Sequence, residues 1–161
     1  MGMQQAERGI ALLRIVLGLW ILRWAMSHLI WNPWPWASAS WVQVITTQLA
    51  QHSLDHPSFW VRYFIQQALL PNAELYVGVT VVLQSLAGIS LTFGIITVLG
   101  ALLALLLSLA AGVLTYYAGS SPLDYHLLQG TMAVVFIVTR AGRRWGFDTF
   151  FAGIRSRALL W

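Results

Sequence analysis

Apolar residues fill most of the chain in long runs with few polar interruptions, and the lengths of those runs set the architecture. A helix needs about 20 apolar residues to cross the hydrocarbon core of a bilayer. Four segments meet that length: 9–31, 74–93, 95–117 and 122–141. The second and third lie in one stretch from Glu74 to Tyr117, too long for a single crossing at about 1.5 Å per residue. The chain must turn within "LTFGIIT", where Gly94 can take the left-handed conformation that ends a helix. The fourth segment has a short apolar centre, Leu127 to Thr139, but a good start signal. Ser121 fits the N-cap, Pro122 the first helical position, and Asp124 the positive helix end.

The pattern predicts an all-α membrane protein forming one integral domain, a bundle of four transmembrane helices. A long Trp-rich loop spans 32–73 between helices one and two, bringing in Trp34, Trp36, Trp41 and Trp60 after Trp31. Indole rings favour the lipid headgroup level. "NPWPW" breaks helix one, and "PSFWVRYFIQQALLPN" reads as a short interfacial helix closed by Pro71. The C-terminal arm, 142–161, mixes arginine with Trp, Phe and Leu and reads as interfacial on the other face.

Composition agrees. The chain of 161 residues is 58% hydrophobic and 9% charged, with a mean hydropathy of +0.71. Soluble domains carry roughly 25% charged residues. The deficit makes lipid the outer solvent for much of the chain. A net charge of +4 raises the question of nucleic acid. The arginines answer it, because most sit at membrane edges and not on one soluble face. Arg140, Arg143, Arg144, Arg155 and Arg157 flank or follow helix four, Arg8 precedes helix one, and the long loop holds only Arg62. The positive-inside rule then predicts a multi-pass protein with both termini cytoplasmic. The first apolar run is too long for a cleavable signal and lacks an Ala-x-Ala-like exit. With no cysteine, disulfides, Cys-ligated zinc, Cys-ligated iron–sulfur clusters and thiol redox chemistry are excluded.

Arg14, Arg23 and His28 interrupt helix one. At about 100° per residue Arg14 and Arg23 point to nearly opposite faces, so no single face holds all three. By depth, Arg23, His28, Glu74, Asp124 and His126 gather at the outer side. Arg14, Arg140, Arg143, Arg144 and Asp148 gather at the inner side, and Arg14 and Asp148 count there as structural charges. A charge near mid-bilayer costs at least ~2.5 kcal/mol, which favours pairing Arg23 with Glu74. The bland alternative is that such pairs only fix packing. Small or polar residues line helix two (Glu74, Gly78, Ser85, Gly88, Thr92) and helix three (Thr97, Ala101, Ala104, Ser108, Ala111, Thr115), and close packing is the leading explanation of both stripes. His28 or His126 as a haem or chlorophyll ligand is the minority reading. His52 and His56 show no metal-ligand spacing. Phosphate-binding loops, nucleophile elbows and Ser–His–Asp sets at one depth are absent, so the chain is poorly equipped to catalyse alone.

Several of these residues carry a family resemblance. "LLRIVLGLWIL" resembles the opening of the DoxX/DoxD-type small four-helix membrane proteins, with Arg14 and Gly18 matching. "ELYVGVTVVLQSLAGISLTFGIITVLGALLAL" continues it through Glu74, Gly78 and Gly94, and "RRWGFDTFFA" ends it at Asp148. The likeness covers most of the chain outside 32–72. His28 stands where such proteins often carry lysine. The resemblance implies a subunit, in the cytoplasmic membrane of a bacterium or archaeon, that passes electrons from a sulfur compound to quinone beside a partner. His28, Glu74, Asp124 and His126 would then supply hydrogen bonds to quinone at headgroup depth. The competing reading is a non-catalytic structural subunit of a larger respiratory or photosynthetic complex. A small-solute carrier is weaker, since neither an inverted repeat nor a broken helix is evident.

Overall fold

The structure, a computed structural model, describes residues 2–30, 39–143 and 145–148; the side chains of 2–4, 27–30, 39–41, 120 and 143 fall outside that description. The described residues are helical and turn structure, without strands. In chain order they form α1 (Gly2–Ile30), α2 (Ala39–Asp55), α3 (Phe59–Phe64) running into a π-helical turn (Ile65–Leu69), α4 (Ala73–Phe93), α5 (Thr97–Thr115), α6 (Ser120–Thr139) and a 3-10 turn (Ala141–Arg143). Among the described residues, three segments are long and apolar enough to cross a membrane: Gln5–Met26, Ala73–Phe93 and Thr97–Thr115. The fourth expected crossing is helical but is not among them. The reason lies in its first half, "SSPLDYHLLQG", which is polar for such a span.

Neighbouring helices run antiparallel, and small residues set how closely they approach. Gly18 of α1 lies against the backbone of Leu91 and Thr92, and Gly88 of α4 lies against Leu22. Gly100 of α5 meets Ser90, and Gly130 of α6 meets Ser108. The expected small-residue stripe of α5 does face inward, with Thr97, Ala101, Ala104 and Ser108 all buried. The core joins Leu17, Ile21, Ala87, Leu91, Ala104, Ala133 and Phe136. α1 packs mainly on α4 and α6 mainly on α5, whereas α1 and α6 meet over only a short stretch.

The turn between α4 and α5 falls where the sequence predicts. Gly94 closes α4 in the left-handed conformation at φ 67°, its N–H donating to Ser90 O at 2.8 Å. Ile96 is also left-handed, at φ 51°, an unfavourable state for a β-branched residue. The start of α6 departs from expectation by two residues. Gly119 stands at the cap, at φ 121°, so Pro122 falls later in a first turn whose N–H groups lack helical acceptors anyway.

The 32–73 segment departs further. A loop holding one short helix is expected, and α3 with its π turn matches that helix. α2 is additional. Its Val42, Val44, Ile45, Thr46 and Thr47 are β-branched and lower helix propensity. Burial overrides them: Leu49, Ser53 and His56 make one inward face at i, i+4, i+7. Trp31, Trp34 and Trp36, the Trp41 side chain, and the C-terminal arm from 149 lie outside the described residues.

α2 is held against the end of α5 by histidines and tyrosines. His56 is fully buried; its Nδ1 accepts from the Ser58 N–H at 3.1 Å, so Nε2 carries the proton donated to Val113 O at 3.0 Å. His52 Nδ1 lies 2.6 Å from the Tyr117 hydroxyl. Burial lowers the proton affinity of His52, the neighbouring His56 adds to that, and Asp55 opposes it. A free histidine titrates near 6.5. The contribution of His52 to docking is therefore complete above that pH and is lost as pH falls below it toward the lower folded value. Hydrogen exchange should show α2 amides less protected at pH 5 than at pH 7.5, after correction for intrinsic rates. His52→Gln should reduce that difference, and an equal difference in the variant would contradict this account.

Candidate functional site

Two polar clusters lie at different depths in the bundle. The inner one is a latch. Arg14 is fully buried; Nη1 donates to Ala141 O at 3.1 Å and Nη2 to Trp145 O at 3.0 Å. Asp148, also buried, accepts from the N–H of Ile96 at 2.6 Å and of Thr97 at 2.9 Å, satisfying exposed donors at the start of α5. The segment carrying Asp148 lies across the α4–α5 turn, where the Asp148 N–H donates to Gly94 O at 2.8 Å. Gly94, Gly142 and Gly146 leave room for this crossing, since a Cβ at any of them would collide with Arg14, Asp148 or backbone. Arg14 and Asp148 thus share one buried cluster, each bonded to backbone; among the described residues no ion pair joins them directly.

The second cluster lies near the middle of the spans. Ile21 and Trp24 of α1, Gln84 of α4, Leu107 and Ala111 of α5, and Tyr125, His126 and Gln129 of α6 enclose a cavity of about 140 Å³. Two of the residues lining it, Gln84 and His126, each carry a buried polar atom without a hydrogen-bond partner, Oε1 and Nδ1. The other buried polar atoms without one, Arg14 Nε, Thr92 Oγ1 and Thr97 Oγ1, lie at the latch end. An unmade hydrogen bond on a buried group costs about 1–3 kcal/mol. The backbone of His126 is fixed, its carbonyl accepting from Ser108 Oγ.

The cavity adjoins an apolar cleft of about 220 Å³ lined by Val16, Leu17, Trp20, Tyr125, Leu128, Gln129 and Met132. Tyr125 and Gln129 border both spaces. Trp20 Nε1 donates to the Tyr125 hydroxyl at 3.1 Å across the seam between α1 and α6. The cleft opens where those helices meet least, giving a lipid-side approach to a polar interior.

Of the five residues expected to gather at one depth, Arg23, His28, Glu74, Asp124 and His126, only His126 among the described side chains lines this cavity. Glu74 and Asp124 are exposed and line neither space. The His28 side chain lies outside the described residues. Arg23 does not pair with Glu74. It is exposed, with its guanidinium 5.6 Å from the Trp20 ring centre. The register explains this: Leu22 lies against Gly88, so Glu74 sits roughly 20 Å farther along the antiparallel pair at ~1.5 Å per residue. Gln84, Gln129 and Tyr125 are site residues the sequence reading missed. Gln84 had a usable signal, being the only side-chain amide between Glu74 and Tyr117. Among the described residues no group of three or more His, Cys, Asp or Glu could hold a metal ion.

Compared with known proteins, the chain matches no family model, no curated protein and no solved structure.

Proposed function

We propose that this chain is the quinone-interacting membrane subunit of an oxidoreductase, with electrons supplied by a partner subunit. α1, α4, α5 and α6 all cross the membrane in this reading. α6 tolerates its polar half because that half carries Tyr125, His126 and Gln129 at the cavity. The exposed Phe59, Trp60, Tyr63 and Phe64 of α3 lie at the headgroup level, and the arginine distribution keeps both termini cytoplasmic. The resemblance to DoxD-type subunits points to a sulfur compound as electron donor.

The observation that carries the proposal is the pair of unpartnered polar atoms on residues that line a cavity beside an apolar cleft. Its volume is close to the roughly 150 Å³ of an apolar cavity that takes up one benzene ring. Gln84 Oε1 accepts a hydrogen bond, as a hydroxyl of the reduced ring requires. His126 with a proton on Nδ1 donates one, as a carbonyl of the oxidised ring requires. An imidazole can also pass a proton near neutral pH, and reduction of a quinone takes up two electrons and two protons. The cleft along Val16, Leu17, Leu128 and Met132 accommodates an apolar tail.

Titration of a short-tailed benzoquinone into the protein in lipid nanodiscs, followed by quenching of tryptophan emission, tests this. One hydrogen bond is worth about 0.5–1.5 kcal/mol, so His126→Leu and Gln84→Leu should each weaken binding about 2- to 12-fold. Glu74→Ala and Asp124→Ala should leave it unchanged. Normal affinity in both cavity variants would leave the structural-subunit reading in its place.

A further inference from the structure

The apolar cleft between α1 and α6 and the cavity beside it share two wall residues among those described, Tyr125 and Gln129. The way from the lipid side to the cavity leads past them. Gln129 is buried. Tyr125 is half-buried, and its hydroxyl is tied across the seam, accepting the Trp20 N–H at 3.1 Å. Trp20 lines the same cleft and is itself partly exposed. Its indole is held at a second point, with the Arg23 guanidinium 5.6 Å from the ring centre.

The seam is thin where this bond lies. α1 packs mainly on α4 and α6 mainly on α5, so the two helices beside the cleft share only a short contact. With so little packing between them, a single side-chain bond is a large part of what fixes their separation at this level. Such a bond joins two aromatic rings that can each turn about χ1 and χ2 without unwinding a helix.

We propose, resting on the quinone reading of the cavity, that Trp20 and Tyr125 form a gate on the bilayer side. Their hydrogen bond breaks each time a quinone ring passes from the cleft to the cavity or back. The bond closes the gate whether the cavity is empty or filled. Its loss therefore lowers the barrier to entry and to exit alike and leaves the equilibrium between them where it was. Trp20 and Tyr125 control the rate of exchange, while Gln84 and His126 set the affinity.

Stopped-flow quenching of tryptophan emission by a short-tailed benzoquinone, with the full chain in lipid nanodiscs, gives both rate constants. Trp20→Phe and Tyr125→Phe each remove one partner of the bond and keep a ring in its place. Each should speed association and dissociation together by about 2- to 12-fold, the worth of one net hydrogen bond, with Kd changed by less than about twofold. The double variant should match the singles, because all three lack the same bond. Unchanged rates in both single variants overturn the gate, as do effects that multiply in the double variant. Faster dissociation alone, with weaker binding, would make the Tyr125 hydroxyl a contact of the bound ring and overturn it too. A parent protein that binds no benzoquinone removes the quinone reading and the gate with it, whereas a parent that binds, with rates indifferent to both substitutions, removes the gate alone.

Discussion

Asp148→Ala is expected to destabilise the folded protein by about 3–5 kcal/mol, the range for removing one partner from a buried charged cluster. Three losses combine. The N–H groups of Ile96 and Thr97 lose their acceptors, and α5 starts with unsatisfied donors. Ile96 loses the contact that holds it in a left-handed conformation unfavourable for its side chain. Arg14, fully buried, loses the negative charge that acts on it from across the cluster. Asp148→Asn keeps one acceptor oxygen and should cost less. Unfolding in mixed micelles, followed by tryptophan emission, ranks the three proteins. An alanine variant as stable as the parent would show that the C-terminal segment does not hold the α4–α5 turn.

The latch also shows what was legible in the sequence. Arg14, Gly94 and Asp148 could be singled out by type and spacing, because a buried charge and a helix-ending glycine are rare enough to read one at a time. What each one touches could not be read. Arg14 and Asp148 look like an ion pair in sequence, yet each is satisfied by backbone from another segment, and backbone partners leave no residue-type signal. The outer cluster failed differently. Equal depth was inferred from distance to helix ends, but α1 and α4 pack with Leu22 at Gly88, and that register carries Arg23 well past Glu74. Apolar runs specify that helices cross; a glycine facing the backbone of its neighbour decides where they touch. α2 was missed because its β-branched residues argue against a helix locally, while Leu49, Ser53 and His56 favour one only once α4 and the π turn are there to pack against α2.

Glycines give the sharpest case, and the second large effect. Gly18 and Gly78 both belong to the family-like motifs, and both lie inside spans. A Cβ at Gly18 would stand 2.5 Å from the backbone nitrogen of Thr92 and 2.9 Å from the carbonyl carbon of Leu91, so backbone must move. A Cβ at Gly78 meets nothing within 4 Å. Gly18→Val should therefore push α1 away from α4 along the closest contact between them, which also separates Ile21 from Gln84 across the cavity. Overpacking of this kind costs about 1–3 kcal/mol and more where backbone is the obstacle. Gly78→Ala should be neutral or stabilising by up to about 1 kcal/mol, because it removes a flexible residue from a helix interior. Unfolding in mixed micelles gives both values, and quinone titration of Gly18→Val should show weaker binding than in Gly78→Ala. If both variants lose the same stability, the α1–α4 register set by Gly18 and Gly88 is wrong, and with it the depth assigned to Arg23.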